Sequence, residues 1–256
     1  MDTSPTPQQP TTAEVLAEVE RRRAEARPPT SQSQRRFVIL ADRFVFWLSK
    51  HWLALFNALA FLYVGMPFVA PLLMVLGVKG PALAVHAVYG LMCHQLPYRS
   101  WFLFGPQLFY TIPELMERVG ADAMPALLTR AFIGNAALGY KVALCQRDTA
   151  LYGAILLGGL VYGLARRRWQ VRPLPFWAYV VFGVVPMLLD GGYQFLSYLV
   201  AFVWPAGPLQ PHETMPALRL ITGALFGLAT VWLAYPYVQE TMDDLRKTLQ
   251  QRFGWQ

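Results

Sequence analysis

The stretch WLALFNALAFLYVGMPFVAPLLMVL, residues 52–76, decides the class of this chain. It carries no charged side chain, and about 20 apolar helical residues suffice to cross a hydrocarbon core. Gly65, Pro67 and Pro71 interrupt it and are expected to kink or break the helix. Reading outward, further apolar runs cover residues 81–95, 148–164, 175–203 and 216–238, the first of these being short. The expected fold is an all-α integral membrane protein, a polytopic bundle of five transmembrane helices within residues 52–238. Five crossings put the basic N-terminal region and the Arg166–Arg168 cluster on opposite sides, although the bias of basic loops wants both inside. A sixth, weaker crossing near residues 131–144, or a broken first span, restores the parity. Residues 96–147 otherwise read as a long connection with an amphipathic stretch between Pro113 and Arg130.

Composition agrees. Hydrophobic residues make up 55% of the chain and charged ones 14%, far from the soluble balance of roughly a half and a quarter. The net charge of +7 does not point to nucleic acid, because the basic residues cluster beside the spans. Arg21, Arg22, Arg23, Arg27, Arg35 and Arg36 precede the first span, and Arg166, Arg167, Arg168 and Arg172 fall between two others. Arg246, Lys247 and Arg252 lie in the charged tail, residues 239–256. Such flanks set topology and meet anionic lipid head groups.

Residues 1–36 form a basic N-terminal region. Its first 12 residues, rich in Pro, Thr and Gln, are expected to be disordered. Residues 13–27 carry Glu and Arg at helical spacing and suit a short surface helix, with a linker over 28–36. Residues 37–51 surround Asp42 and Arg43 with apolar side chains, as an interfacial helix does. No signal peptide is expected, since the first 36 residues lack an apolar core.

Two groups of residues can carry chemistry. Cys93 and His94 end the second span, and Cys145 and Asp148 stand just before the third. If the connection returns to the same face, two thiols, an imidazole and a carboxylate meet as a tetrahedral set for Zn2+ or another divalent metal. The same residues also suit plainer roles: cysteine as a small buried hydrophobe, Asp148 as a helix cap, or the two thiols as a disulfide or redox pair. His86 shares a helix face with Cys93 and is a further candidate ligand. The second group is intramembrane. Asp190 lies inside the fourth span with Gln194 one turn on, and Arg219 begins the fifth with Thr222 on the same stripe. A charge at the bilayer centre costs about 2.5–3.5 kcal/mol on insertion scales, so an Asp190–Arg219 ion pair is expected, either at a working site or as glue between helices. No phosphate-binding loop, nucleophile elbow or His-Glu-x-x-His motif occurs.

These residues resemble a family of small bacterial and archaeal membrane proteins, domain of unknown function 2085. The resemblance is carried by Cys93-His94-Gln95, Arg99-Ser100, Cys145-x-Arg147 with Tyr152-Gly153, Asp190-Gly191 with Gln194, and Arg219 before Thr222-Gly223. It covers about residues 80–238. Members usually read Cys-x-Arg-Cys-Thr-Gly in the second block; here Asp148 replaces the second cysteine and Ala150 the glycine. Aspartate still ligates a borderline metal but cannot join a disulfide. The resemblance implies one site or framework built from both groups, in a prokaryotic plasma membrane, and supplies no substrate. The leading expectation is a metal-binding or catalytic polar site at one membrane edge. Cys93, His94, Cys145 and Asp148 are its candidate ligands, and Asp190, Gln194, Arg219 and Arg147 its candidate catalytic residues. The alternatives are a transporter or channel using Asp190 and Arg219, and an accessory subunit of a membrane complex or homo-oligomer.

Overall fold

The computed structural model describes residues 12–25, 31–120, 122 and 124–255. The disorder expected at the N-terminus falls on residues 1–11, and part of the expected linker on 28–30, both outside the described residues. The chain divides into two units, one of Met1–Lys50 with Leu245–Gln256 and one of His51–Asp244. In the first unit, helix α1 (Thr12–Glu25) is an exposed helix whose Glu18 pairs with Arg21 and Arg22, both at 2.8 Å. There too Trp255 packs its ring 5.7 Å from that of Phe46 and lies under the guanidinium of Arg43.

Among the described residues, four helices are long and apolar enough to cross a membrane: α2 (Gln32–Val75), α6 (Gln146–Ala165), α7 (Phe176–Val203) and α8 (Pro216–Phe253). The expected interfacial helix and first span are one continuous helix, with Pro67 and Pro71 inside it. The expected span at 81–95 is instead α3 (Lys79–Tyr89), whose 11 residues rise only about 16 Å against a core of about 30 Å. No sixth crossing exists near residues 131–144. That segment supplies β2 (Gly134–Asn135) and β3 (Gly139–Cys145), which pair antiparallel with each other and, through β3, with β1 (Ser100–Leu103). Its alternating residues end in a run buried on both faces, which by composition alone is hard to tell from a span. The rest of the connection forms two short helices, α4 (Ile112–Val119) and α5 (Met124–Leu127). Thr111 and Glu114 cap α4 reciprocally.

Within the second unit α2, α6, α7 and α8 alternate in direction, which fixes its two ends. At one end Trp52, Tyr162, Val231 and Tyr235 pack together. Gln239 of α8 accepts hydrogen bonds there from Trp52 Nε1 (3.1 Å) and from Arg166. At the other end the sheet closes the bundle: Val142, Ala143 and Leu144 of β3 are fully buried against Ala70, Tyr89 and Cys93. Four spans, the number of helices long and apolar enough to cross, would remove the parity conflict. The start of the first crossing, the Arg166–Arg168 turn and the end of the last crossing share one end, as the distribution of basic residues asks.

Candidate functional site

The thiols meet because β3 runs straight into α6. Cys145 ends the strand paired opposite Ser100, then serves as N-cap of α6, its Sγ accepting from the Asp148 N–H at 3.5 Å. Cys93 follows α3, its N–H donating to the Tyr89 carbonyl at 2.9 Å. Gln95 then turns the chain with a φ of 51°, a left-handed value uncommon outside glycine. Its buried side chain holds that turn, Nε2 donating to the His86 carbonyl (2.8 Å) and Oε1 meeting His86 Nδ1 (3.0 Å). The donor atoms of Cys93, Cys145 and Asp148 lie within 4.8 Å of one another. His94 is exposed and is not part of that group, although it lines the same cavity. His86 is committed to Gln95 and also stands outside it. Both cysteines are free thiols. The two thiols shift one another: the neighbouring Cys145 holds the Cys93 thiol below its ordinary range, and Cys93 together with burial pushes the Cys145 thiol above it.

Beside them sits a lysine that the sequence did not single out. Lys141 of β3 is completely buried, and its Nζ donates to the carbonyls of Gln95 and Arg130, each at 2.8 Å. Burial pushes its ammonium down to about 7. A neutral amine has two N–H bonds, enough for both carbonyls.

Across the cavity is a network of charged pairs. Arg147, in the first turn of α6, bonds to Asp190 at 2.5 Å, and Thr222 of α8 donates to the same carboxylate oxygen at 2.9 Å. Asp190 lies in one of two π-helical turns of α7 (Val180–Val184 and Leu188–Gly192), a local geometry frequent at functional sites. Arg219 does not pair with Asp190 as expected. It bonds Glu213 at 2.5 Å and also reaches Thr214 Oγ1, Gln146 Oε1 and the Tyr98 carbonyl. The reason is register: Arg147 enters from α6 and occupies the space facing Asp190, while Arg219 is a turn from the start of α8, beside the loop that carries Glu213.

Glu213 is the residue the sequence reading missed. It accepts from Arg99, Arg219, Tyr198 (2.6 Å) and Gln194 (2.7 Å), so it joins both arginines to the Asp190 side through Gln194. The one available signal was that Glu213 is the only carboxylate in the 204–215 loop. Two glycines of the motif blocks are explained here. A Cβ at Gly191 would stand 2.8 Å from the Arg147 guanidinium, and one at Gly223 2.6 Å from the Arg147 carbonyl oxygen. Glycine at 223 lets α8 approach the backbone of the first turn of α6, and glycine at 191 leaves the Arg147 guanidinium its place.

The cavity at this end is about 230 Å³. Cys93, Cys145, Asp148 and His94 line one part of it, and Arg99, Arg147, Gln194 and Arg219 another. Two soft sulfur donors, a carboxylate and an adjoining open space suit a borderline divalent ion with a free coordination position.

Residues 130–233 match the model of a family described as a predicted membrane protein, DUF2085. The matched segment contains the motif blocks from Cys145 to Gly223, while Cys93-His94-Gln95 precedes it. The uncharacterized protein MJ1492 of Methanocaldococcus jannaschii is 24% identical over 194 residues, covering 74% of this chain and 93% of its own. No solved structure matches the chain. The resemblance read from the separated motifs is supported: residues 130–233 are similar to that family of predicted membrane proteins.

Proposed function

We propose that this chain, which carries the DUF2085 segment, holds a divalent metal on Cys93, Cys145 and Asp148 at one end of its membrane bundle. The observation that carries the reading is the convergence of those three donor atoms within 4.8 Å beside a polar cavity. A tetrahedral ion with bonds of about 2.3 Å needs its donors roughly 3.8 Å apart, a closing movement of about 1 Å. Charge supports it as well: Arg99, Arg147 and Arg219 are matched by Asp148, Asp190 and Glu213, so a dication would be balanced by the two thiolates. Bound there, a zinc-like ion supplies a Lewis acid and an acidified water. The chain's own part is positional. Glu213 pins Arg99 and Arg219, Asp190 pins Arg147, and His94 stands at the cavity as an exposed imidazole. A site at a bundle end suits hydrolysis or transfer on a lipid-linked substrate.

The test is the metal content of protein purified in detergent under reducing conditions. About one metal per chain is expected in the wild type, lost in Cys93→Ser and Cys145→Ser. Asp148→Cys, which restores the family's usual cysteine, should keep it. A well-folded wild type without metal would sink the proposal. The transport reading makes a different prediction, a pH- or potential-dependent flux abolished by Asp190→Asn. The mutual pairing of Arg147 with Asp190 and Arg219 with Glu213 favours a clamp over a path for ions.

A further inference from the structure

At the end of the bundle away from the cysteines, a second cavity of about 430 Å³ lies between α6, α7 and α8. Gly158 and Val161 of α6, Phe182 of α7, and Leu225 and Trp232 of α8 line it. Apart from Tyr162 and Trp232, every side chain in its wall is hydrocarbon. The α6–α7 turn borders it, its Leu174 N–H donating to the Trp232 carbonyl while Trp232 Nε1 donates to the Arg172 carbonyl, each at 3.2 Å.

That turn carries Arg166, Arg167, Arg168 and Arg172. Arg166 is engaged by Gln239 and lies over the Trp52 ring. Arg167, Arg168 and Arg172 are exposed, and among the described residues none of their side chains has a hydrogen-bond or ion-pair partner. Trp169 and Trp177, 70% and 65% exposed, flank the turn as interfacial tryptophans do. An apolar cleft whose wall includes Ala165, Val171 and Leu174, next in the chain to three unpaired guanidiniums and to exposed tryptophans, matches an amphipathic anion with a hydrocarbon chain.

We propose that this cleft binds an anionic phospholipid, one acyl chain between α6, α7 and α8 and the head-group phosphate on Arg167, Arg168 and Arg172. The cleft supplies the hydrocarbon contact and the turn the charge, so a zwitterionic lipid with the same chains satisfies only half the site. The site is separate from the metal reading and does not depend on it.

The experiment titrates the delipidated full chain in detergent with dioleoylphosphatidylglycerol and with dioleoylphosphatidylcholine, and reads bound lipid by native mass spectrometry. The wild type is expected to hold the anionic lipid at least about tenfold more tightly. Each of Arg167→Gln, Arg168→Gln and Arg172→Gln should weaken it about fivefold, about 1 kcal/mol per charge. Leu225→Trp, which fills the cleft from α8, should weaken both lipids while leaving metal content unchanged. Soluble glycerol phosphate, a head group without chains, should not bind measurably. Equal retention of the two lipids by the wild type would overturn the proposal, and so would an undiminished anionic preference in the triple arginine variant.

Discussion

The two ends of the helical unit are held by different physics. At the Arg166 end, Tyr235 sets its ring edge-on to Trp52 (5.4 Å between centroids) and Tyr162 (5.7 Å), and contact is spread over many weak pairs. At the cysteine end, few side chains carry the load: Asp190, with its side chain 2% exposed, holds Arg147, and Glu213 holds two arginines. Dispersion contacts are lost in small steps. A buried ion pair is lost whole, because removing one partner leaves the other charged and unsolvated. The aromatic end should therefore tolerate substitution in degrees, and the polar end should not.

The sharpest way to break that contrast is Asp190→Leu. It strands Arg147 and is expected to cost about 3–5 kcal/mol, read as the unfolding free energy in mixed micelles. Adding Arg147→Met should return much of that loss. If the single variant costs less than about 1 kcal/mol, the polar end is not the brittle one.

A smaller effect comes from Lys141. Its ordinary value of 10.5 falls to about 7 on burial. Between those values the unfolded chain holds the proton and the folded chain does not, so stability should rise with pH across that window. The penalty is fully present below about pH 7 and eases above it. The slope is at most about 1.4 kcal/mol per pH unit, or about 2 kcal/mol from pH 7 to 8.5. The Cys93 thiolate works against this shift and Arg130 adds to it. Melting temperatures at several pH values, wild type against Lys141→Met, isolate the contribution: the rise should flatten in the variant.

The smallest effect belongs to the aromatic end. Trp52→Phe keeps a ring but loses the hydrogen bond to Gln239 and some contact area, for about 1 kcal/mol by the same unfolding measurement. A loss as large as that of Asp190→Leu would erase the distinction between the ends.

Much of the site was legible one residue at a time. Cys93, Cys145 and Asp148 stood out because sulfur and carboxylate beside spans are chemically conspicuous, and Asp190 because a membrane makes charge costly. Lys141 and Glu213 did not stand out. Each sits in a connection where a charged residue is ordinary, and each matters only because of where the fold puts it: Lys141 fully buried, Glu213 between two arginines. The short helix α3 was read as a crossing, and the strand segment near 131–144 was weighed as one, for a related reason: a segment buried under a protein cap is as apolar as one buried in lipid.

What the sequence determined alone was the membrane class and several side chains of the candidate site, since hydropathy is a sum over neighbours in the chain. What the tertiary structure decided was which apolar segments are long helices and which are not, and the choice of partners. Arg147 and Asp190 are 43 residues apart in sequence, and Arg99 and Glu213 are 114 apart. Such pairs depend on helix register and on the two glycines beside Arg147. Coulombic attraction alone would have allowed Arg219 to reach Asp190; packing gave that place to Arg147.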